Sequence, residues 1–278
     1  MPKQLVVNAD DFGLTVPITD GTIQAIENGV VTSVSVTANG DDFERARDYL
    51  AAHPHVSAGW HINLTSGRPV HPGNRVAGLF AGKGALLRKV VTGAAPLDVI
   101  KDELTAQWEK MAASGLRVTH IDSHHDVHIW PGLRRTLAGI VKDTPAPFVR
   151  FCGSRLYEQP IAVNLEKATF ILTKWLVNKL TLRHVHRKDV DFIQFRELYQ
   201  LENKRIAVYS YINQLASGTT LLICHPGWVD HVNRYSLNYN AQREKELEAL
   251  CDPEVMRALQ QHRVRLVSYR DLLDGERT

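Results

Sequence analysis

The chain of 278 residues is long enough for one large α/β domain or two small ones, and its 44% hydrophobic and 23% charged residues are typical of a globular protein. A net charge of +3 without any run of Lys or Arg argues against nucleic-acid binding, and no uncharged apolar stretch approaches the roughly 20 residues of a membrane span. Three widely spaced cysteines and the lack of a signal-peptide pattern predict a protein of the reducing cytoplasm.

Strand-like and helix-like patterns alternate along the chain. The first strand is the apolar run Leu5–Val7, and the later strand patterns are Val30–Ala38, Val56–Leu64, Val118–Asp122, Phe148–Phe151, Thr219–Cys224 and Arg265–Val267. Helical spacing is found at Ile18–Asn28, Phe43–Ala52, Leu97–Ser114, Leu133–Val141, Arg243–Leu250, Pro253–His262 and Tyr269–Leu273. This alternation predicts an α/β fold with mostly parallel strands, and about seven βα units favour a barrel over an open sheet.

Two parts of the chain depart from this alternation. Residues 66–96 are rich in Gly and Pro and predict a long loop, which in a compact domain is often functional. Residues 153–217 are the least readable, and we expect helices near 164–182 and 204–216. Because neither a linker nor an internal repeat is found, we expect a single domain over residues 1–278.

The first strand ends in two neighbouring acids, Asp10 and Asp11, followed by Gly13. Two carboxylates at close range are costly, because their repulsion raises one pKa or recruits a cation. The simpler alternative is that one Asp caps a helix that begins near Thr15 while the other is solvated. The pair alone does not decide between these interpretations.

Other predicted strands also end in polar side chains that can bind a metal. His61 follows the third strand, four histidines lie between His120 and His128, and His225 follows Cys224. Since parallel α/β folds build their sites at the carboxyl ends of strands, we expect these residues on one rim. Asp11, His61 and His124 would each supply one ligand to a divalent metal, leaving Asp10 free to act as a base on metal-bound water.

The residues beside these ligands are predicted to support them. His120, Asp122 and His124 alternate along the fourth strand, so His120 and Asp122 are predicted to orient the ligands by hydrogen bonds. We expect the same role for His125 if the chain turns after the strand. A Cys224–His225 nucleophile is disfavoured because adjacent strand residues point to opposite faces, and Cys224 is expected to be a small buried residue.

At this level of detail the chain resembles the YdjC-like carbohydrate deacetylases, which include the chitooligosaccharide deacetylases. The motifs that carry the resemblance are Val7–Leu14, Gly29–Ser33, Trp60–Leu64, His120–His125 with Val127–His128, Cys224–Gly227 and Ser268–Leu272. They run from one end of the chain to the other, and only residues 153–217 match the family weakly.

The resemblance implies a distorted (β/α) barrel of the polysaccharide-deacetylase type with one divalent metal. By position it makes Asp11, His61 and His124 the ligands, Asp10 the base and His225 the general acid. It suggests Mg²⁺, whereas Asp/His/His ligands suit zinc, cobalt or nickel. One departure is Asp126, which stands where the family commonly has a third histidine; we expect it to alter loop contacts rather than activity.

The predicted function is metal-dependent removal of acetyl groups from N-acetylated sugars or oligosaccharides. Trp60, Trp228 and Trp130 lie beside site residues and could stack on sugar rings, although buried packing explains each equally well. One alternative is hydrolysis of another amide, ester or phosphate, and another is a non-catalytic carbohydrate-binding relative. The oligomeric state is open, with a homodimer as one alternative.

Overall fold

The computed structural model describes residues 2–94, 96–141, 148–150, 192–198, 202–231, 235 and 239–275. Its strands are β1 (Lys3–Phe12), β2 (Ser33–Val36), β3 (Ser57–Ile62), β4 (Val118–Ser123), β5 (Phe148–Val149), β6 (Phe192–Glu197), β7 (Gly218–Cys224) and β8 (Val264–Leu266). Its α-helices are α1 (Val16–Glu27), α2 (Phe43–Ala52), α3 (Asn74–Ala77), α4 (Lys83–Val91), α5 (Leu97–Ala113), α6 (Pro131–Val141), α7 (Lys204–Asn213), α8 (Asn240–Leu250), α9 (Pro253–Gln261) and α10 (Tyr269–Gly275).

The strands form one sheet in the order β5-β4-β3-β2-β1-β7-β6, with β8 also paired to β1, and every pairing is parallel. β1 is an interior strand paired with β2, β7 and β8, and its residues from Leu5 to Phe12 are all buried, as expected for a parallel strand covered on both faces. The predicted distorted α/β barrel is confirmed in the form of a half-barrel, since the described residues contain no pairing between β5 and β6.

Several element predictions need correction. Residues 66–96 are not a continuous loop, because they contain the short helices α3 and α4 between Gly- and Pro-rich turns. Strand β6 was not predicted, whereas the helix expected near 204–216 is confirmed as α7. The helix expected near 164–182 lies outside the described residues. None of the helices in the described ranges is both long and apolar enough to cross a membrane.

The end of β1 is irregular at the two acids. The register between β1 and β2 shifts between Ala9 and Phe12, and Asp11 has a left-handed φ of 67°. A left-handed conformation costs a non-glycine residue about 1–3 kcal/mol and is found mostly where function requires it. Helix α1 is capped at Thr15 without any side-chain hydrogen bond, so the alternative that Asp10 or Asp11 caps this helix is wrong.

The loop after β7 packs closely against helix α1. A Cβ atom on Gly21 would lie only 2.5 Å from the Cα atom of Gly227, so only glycine fits at this contact. The next residue, Trp228, donates its backbone N–H to the Pro17 carbonyl at 3.0 Å. These contacts fix the loop that carries His225 beside the end of β1.

Candidate metal centre and active site

Three of the predicted metal ligands converge at the carboxyl ends of β1, β3 and β4. One ligand atom from each of Asp11, His61 and His124 lies within 4.8 Å of the other two. His124 Nδ1 is 2.7 Å from Asp11 Oδ1, and His61 Nε2 is 3.2 Å from the same oxygen. Asp11 and His61 are each 1% exposed and His124 is 8% exposed, so the cluster is buried beneath the rim.

His61 lies between two carboxylates. Its Nδ1 atom is hydrogen-bonded to Asp122 Oδ1 at 2.6 Å, which leaves Nε2 directed at Asp11. Burial opposes the charged imidazolium, yet Asp122 and Asp11 raise the pKa of His61 to about 10. A carboxylate behind a histidine is the usual arrangement around a metal ligand, and a bound cation would displace the proton that His61 holds here.

The donor set fits a divalent ion of the zinc type. Carboxylate and imidazole are common ligands for zinc and its neighbours, and His124 Nε2 is buried without a hydrogen-bond partner among the described residues. Burial alone would raise the pKa of Asp11, but His124 and Arg243 outweigh it and hold this pKa well below its usual value. A second group able to hold an ion is Asp10, His61 and Asp122, which shares His61 with the first.

Asp10 is not free, in contrast to the prediction. Arg150 forms a two-pronged ion pair with it, Nη1 to Oδ1 at 2.8 Å and Nη2 to Oδ2 at 2.7 Å. Asn8 donates a further hydrogen bond to Oδ1 at 2.8 Å. Among the described residues, Oδ1 therefore receives two donors and Oδ2 one, so Oδ2 is the oxygen with room for another proton donor.

Asp122 and His120 lie in a polar layer beside the proposed ligands, where Asp122 is hydrogen-bonded to His61 and His120 is hydrogen-bonded to Ser35 and Thr119 instead of to a ligand. Asp122 Oδ2 accepts hydrogen bonds from Ser35 at 2.6 Å and contacts Arg150 Nη1 at 2.8 Å. Burial would raise the pKa of Asp122, but Arg150 and His61 hold it well below its usual value. His120 is stacked on Tyr269 with ring centroids 4.0 Å apart, and burial lowers its pKa to about 4, so it is neutral at pH 7.

The chain turns sharply after His124. His125 and Asp126 both have left-handed backbone conformations, with φ of 63° and 55°, inside the 3₁₀ segment His124–Ile129. The turn directs the exposed His125 to Thr65, whose hydroxyl lies 3.0 Å from His125 Nδ1. The ring of His125 thus lies 4.1 Å from that of His124, centroid to centroid, and is hydrogen-bonded to Thr65 rather than to a proposed metal ligand.

His225 faces the acids from the β7 side. Its Nε2 atom is 4.0 Å from Asp10 Oδ2, and its side chain is 19% exposed. Its backbone N–H donates to the buried Glu246 on α8 at 2.5 Å, which fixes the loop. The preceding Cys224 is fully buried, and burial raises the pKa of its thiol well above the usual value, so it is a core residue as predicted.

The three tryptophans differ in their surroundings. Trp60 is fully buried, with its ring centroid 5.5 Å from that of Trp108, so its position does not support the predicted sugar contact. The packing alternative is the better description of Trp60, because β3 is covered on both faces. Trp130 is partly buried and packed against the core. Trp228 is 43% exposed on the loop that holds His225.

Two arginines of this site were missed in the sequence. Arg150 directly follows β5, so the rule that strand ends carry site residues would have found it. Arg243 comes from helix α8 and donates to Asp11 Oδ2 at 2.5 Å, across 232 residues of chain. No local pattern distinguishes Arg243 from other charged residues of a surface helix.

Fold and site together define a parallel α/β half-barrel with a buried carboxylate–histidine cluster at the strand ends. The family description for YdjC-like proteins matches residues 4–261, and the chain belongs to this family. A carbohydrate deacetylase of Geobacillus stearothermophilus is 31% identical over 274 residues, which cover 98% of both chains. A chitooligosaccharide deacetylase of Yersinia enterocolitica serotype O:8 is 29% identical over 276 residues, 98% of this chain and 100% of the relative.

Solved structures agree with the fold. A protein of Enterococcus faecalis V583, provisionally described as a cellobiose-phosphate cleavage protein, superposes with a TM-score of 0.73 at 25% identity. The superposition covers 98% of this chain and 99% of that protein. An uncharacterised protein of Agrobacterium tumefaciens C58 has a TM-score of 0.52 at 14% identity, covering 98% and 89% of the two chains, and shows the fold alone.

The buried ion pairs predict a large effect of Arg150→Met. Without the guanidinium, Asp10 would lose its buried counter-ion and Asp122 would keep only His61, so the free energy of unfolding should fall by about 3–5 kcal/mol. Urea unfolding measures this change in the free energy of unfolding. Arg117→Met removes an exposed pair with Asp274 and should change the same quantity by less than about 1 kcal/mol. Similar small losses in both variants would contradict a stabilising role for Arg150.

Proposed function

We propose that this protein is a metal-dependent hydrolase that removes acetyl groups from N-acetylated sugars. The observation that carries the proposal is the convergence of Asp11, His61 and His124 within 4.8 Å, with Asp10 and His225 beside them. The relatives from Geobacillus and Yersinia, named as deacetylases of carbohydrates, support the choice of reaction and substrate class.

The ion would be held by Asp11, His61 and His124. When bound, a divalent cation polarises a carbonyl oxygen and lowers the pKa of a water ligand towards neutrality. Asp122 orients His61 through the 2.6 Å hydrogen bond, so that Nε2 rather than Nδ1 faces the ligand cluster. The chemistry of the ligands favours zinc, cobalt or nickel, whereas the family resemblance suggests Mg²⁺.

Asp10 is the proposed general base. Arg150 fixes the plane of its carboxylate and offsets the cost of burying its charge. Since Oδ1 is already occupied by Asn8 and Arg150, the proton of the attacking water would be taken by Oδ2. This oxygen is also the one that faces His225.

His225 is the proposed general acid. Its Nε2 atom is 4.0 Å from the oxygen that would take the proton, and its side chain is partly exposed. A group in this position can reach the amine that leaves when the amide C–N bond breaks. Glu246 accepts a hydrogen bond from the backbone N–H of His225 and so holds the loop next to Asp10.

The central experiment is an assay of acetate release from N-acetylglucosamine and short chitooligosaccharides. We expect release that a chelator abolishes and that a divalent ion restores, and a series of Zn²⁺, Co²⁺, Ni²⁺ and Mg²⁺ identifies the effective ion. Nitrophenyl esters and phosphates assayed in parallel test the alternative hydrolytic functions. If no acetylated sugar releases acetate with any of these metal ions, the proposal is wrong. Binding of the sugar without release of acetate would favour the non-catalytic carbohydrate-binding alternative.

The role of Asp10 is tested with Asp10→Asn. Asparagine keeps the size of the side chain but is a far weaker base, so kcat should fall by about 10²–10⁴-fold while the bound metal is retained. Asp20→Asn changes an exposed carboxylate that pairs with Arg45 and should leave kcat unchanged. Full activity of Asp10→Asn with normal metal content would refute the role of Asp10 as the general base.

Trp228 is the proposed sugar contact, because its side chain is exposed on the loop that holds His225. Trp228→Ala should raise KM for an oligosaccharide by about 2- to 12-fold with little change in kcat, because an aromatic stacking contact contributes about 0.5–1.5 kcal/mol. The control is Met256→Ala, which removes another exposed apolar side chain, on helix α9. An unchanged KM in Trp228→Ala would remove this residue from the substrate site.

A further inference from the structure

Arg243 places a buried positive charge against a proposed metal ligand. It lies in the first half of helix α8, and its side chain passes beside Gly227 to reach Asp11 Oδ2 at 2.5 Å. The residue is 2% exposed. Arginine stays protonated in proteins, so this charge is permanent.

The contacts of Arg243 are incomplete for a purely structural residue. A guanidinium has five N–H donors, yet Nε and Nη1 of Arg243 are buried without hydrogen-bond partners among the described residues. Among the described residues, Arg243 donates its hydrogen bond to Asp11. The main contribution of this side chain is therefore its charge next to Asp11, rather than a network that shapes the surrounding loops.

The two oxygens of Asp11 have different neighbours. Oδ2 is bonded to Arg243, whereas Oδ1 faces His124 Nδ1 at 2.7 Å and His61 Nε2 at 3.2 Å. An ion held by the two histidines would therefore meet Oδ1, with Arg243 on the far side of the same carboxylate. In that position the guanidinium and the ion repel each other and compete for the charge of Asp11.

We propose that Arg243 is a built-in counter-cation of Asp11 that stabilises the metal-free protein and weakens its affinity for the divalent ion. Arg243 is thus a positioning residue, and the inference rests on the proposed ion site at Asp11, His61 and His124. Linkage requires that a charge which stabilises the metal-free state more than the metal-bound state also lowers metal affinity by the same factor. Because Arg243 weakens the affinity of the site, the bound ion can exchange with ions in solution.

The test is the dissociation constant for Zn²⁺, measured by competition with a chromophoric chelator on purified full-length protein. Arg243→Met keeps much of the length of the side chain but removes its charge, and it should bind Zn²⁺ tighter by about 5- to 150-fold, the usual range of coupling between linked sites. Arg243→Lys keeps the charge and should stay near the wild-type affinity. Arg117→Met, at an exposed site, should also match the wild type.

Thermal unfolding gives a second readout that does not depend on activity. Arg243→Met should lose more stability in excess chelator than in excess Zn²⁺, because the ion replaces the missing charge. Weaker or unchanged Zn²⁺ binding by a folded Arg243→Met overturns the inference and leaves the proposed function intact. If Arg243→Met does not fold without metal, a wild-type-like affinity of Arg243→Lys supports the inference and a weaker one overturns it. A wild type that binds no divalent ion overturns both proposals.

Discussion

The site depends on one electrostatic constraint, the burial of three carboxylates in a single cluster. Asp10, Asp11 and Asp122 are each at most 4% exposed, and like charges at this range are stable only if cations compensate them. Arg150 bridges Asp10 and Asp122, and Arg243 binds Asp11. Two guanidinium groups against three carboxylates leave one negative charge, which a proton on a neighbouring imidazole or a divalent ion can satisfy.

Backbone geometry makes this cluster possible. Neighbouring residues of a regular strand point to opposite faces, so Asp10 and Asp11 could not both reach one site from an undistorted β1. The register shift after Ala9 and the left-handed φ of Asp11 break that alternation, and both side chains come close to His61. The convergence of these two adjacent acids on one site is therefore a consequence of the irregular end of β1.

Much of the fold and part of the site follow from local patterns. Apolar periodicity predicts the alternating parallel strands, and the strand-end rule brings together Asp11, His61 and His124. The same patterns do not reveal which residue a charged side chain pairs with in the folded chain. Arg243 reaches Asp11 only through the packing of α8 on α1, and an indole such as that of Trp60 has the same sequence signature whether it lines a cleft or the core.

Anomalous diffraction from crystals of the protein grown with Zn²⁺ tests whether the cluster holds one ion at Asp11, His61 and His124. We expect one anomalous peak at about 2.0–2.2 Å from a carboxylate oxygen of Asp11 and a ring nitrogen of each histidine. A peak among Asp10, His61 and Asp122, the other group able to hold an ion, would contradict this assignment, as would the absence of any peak at the strand ends.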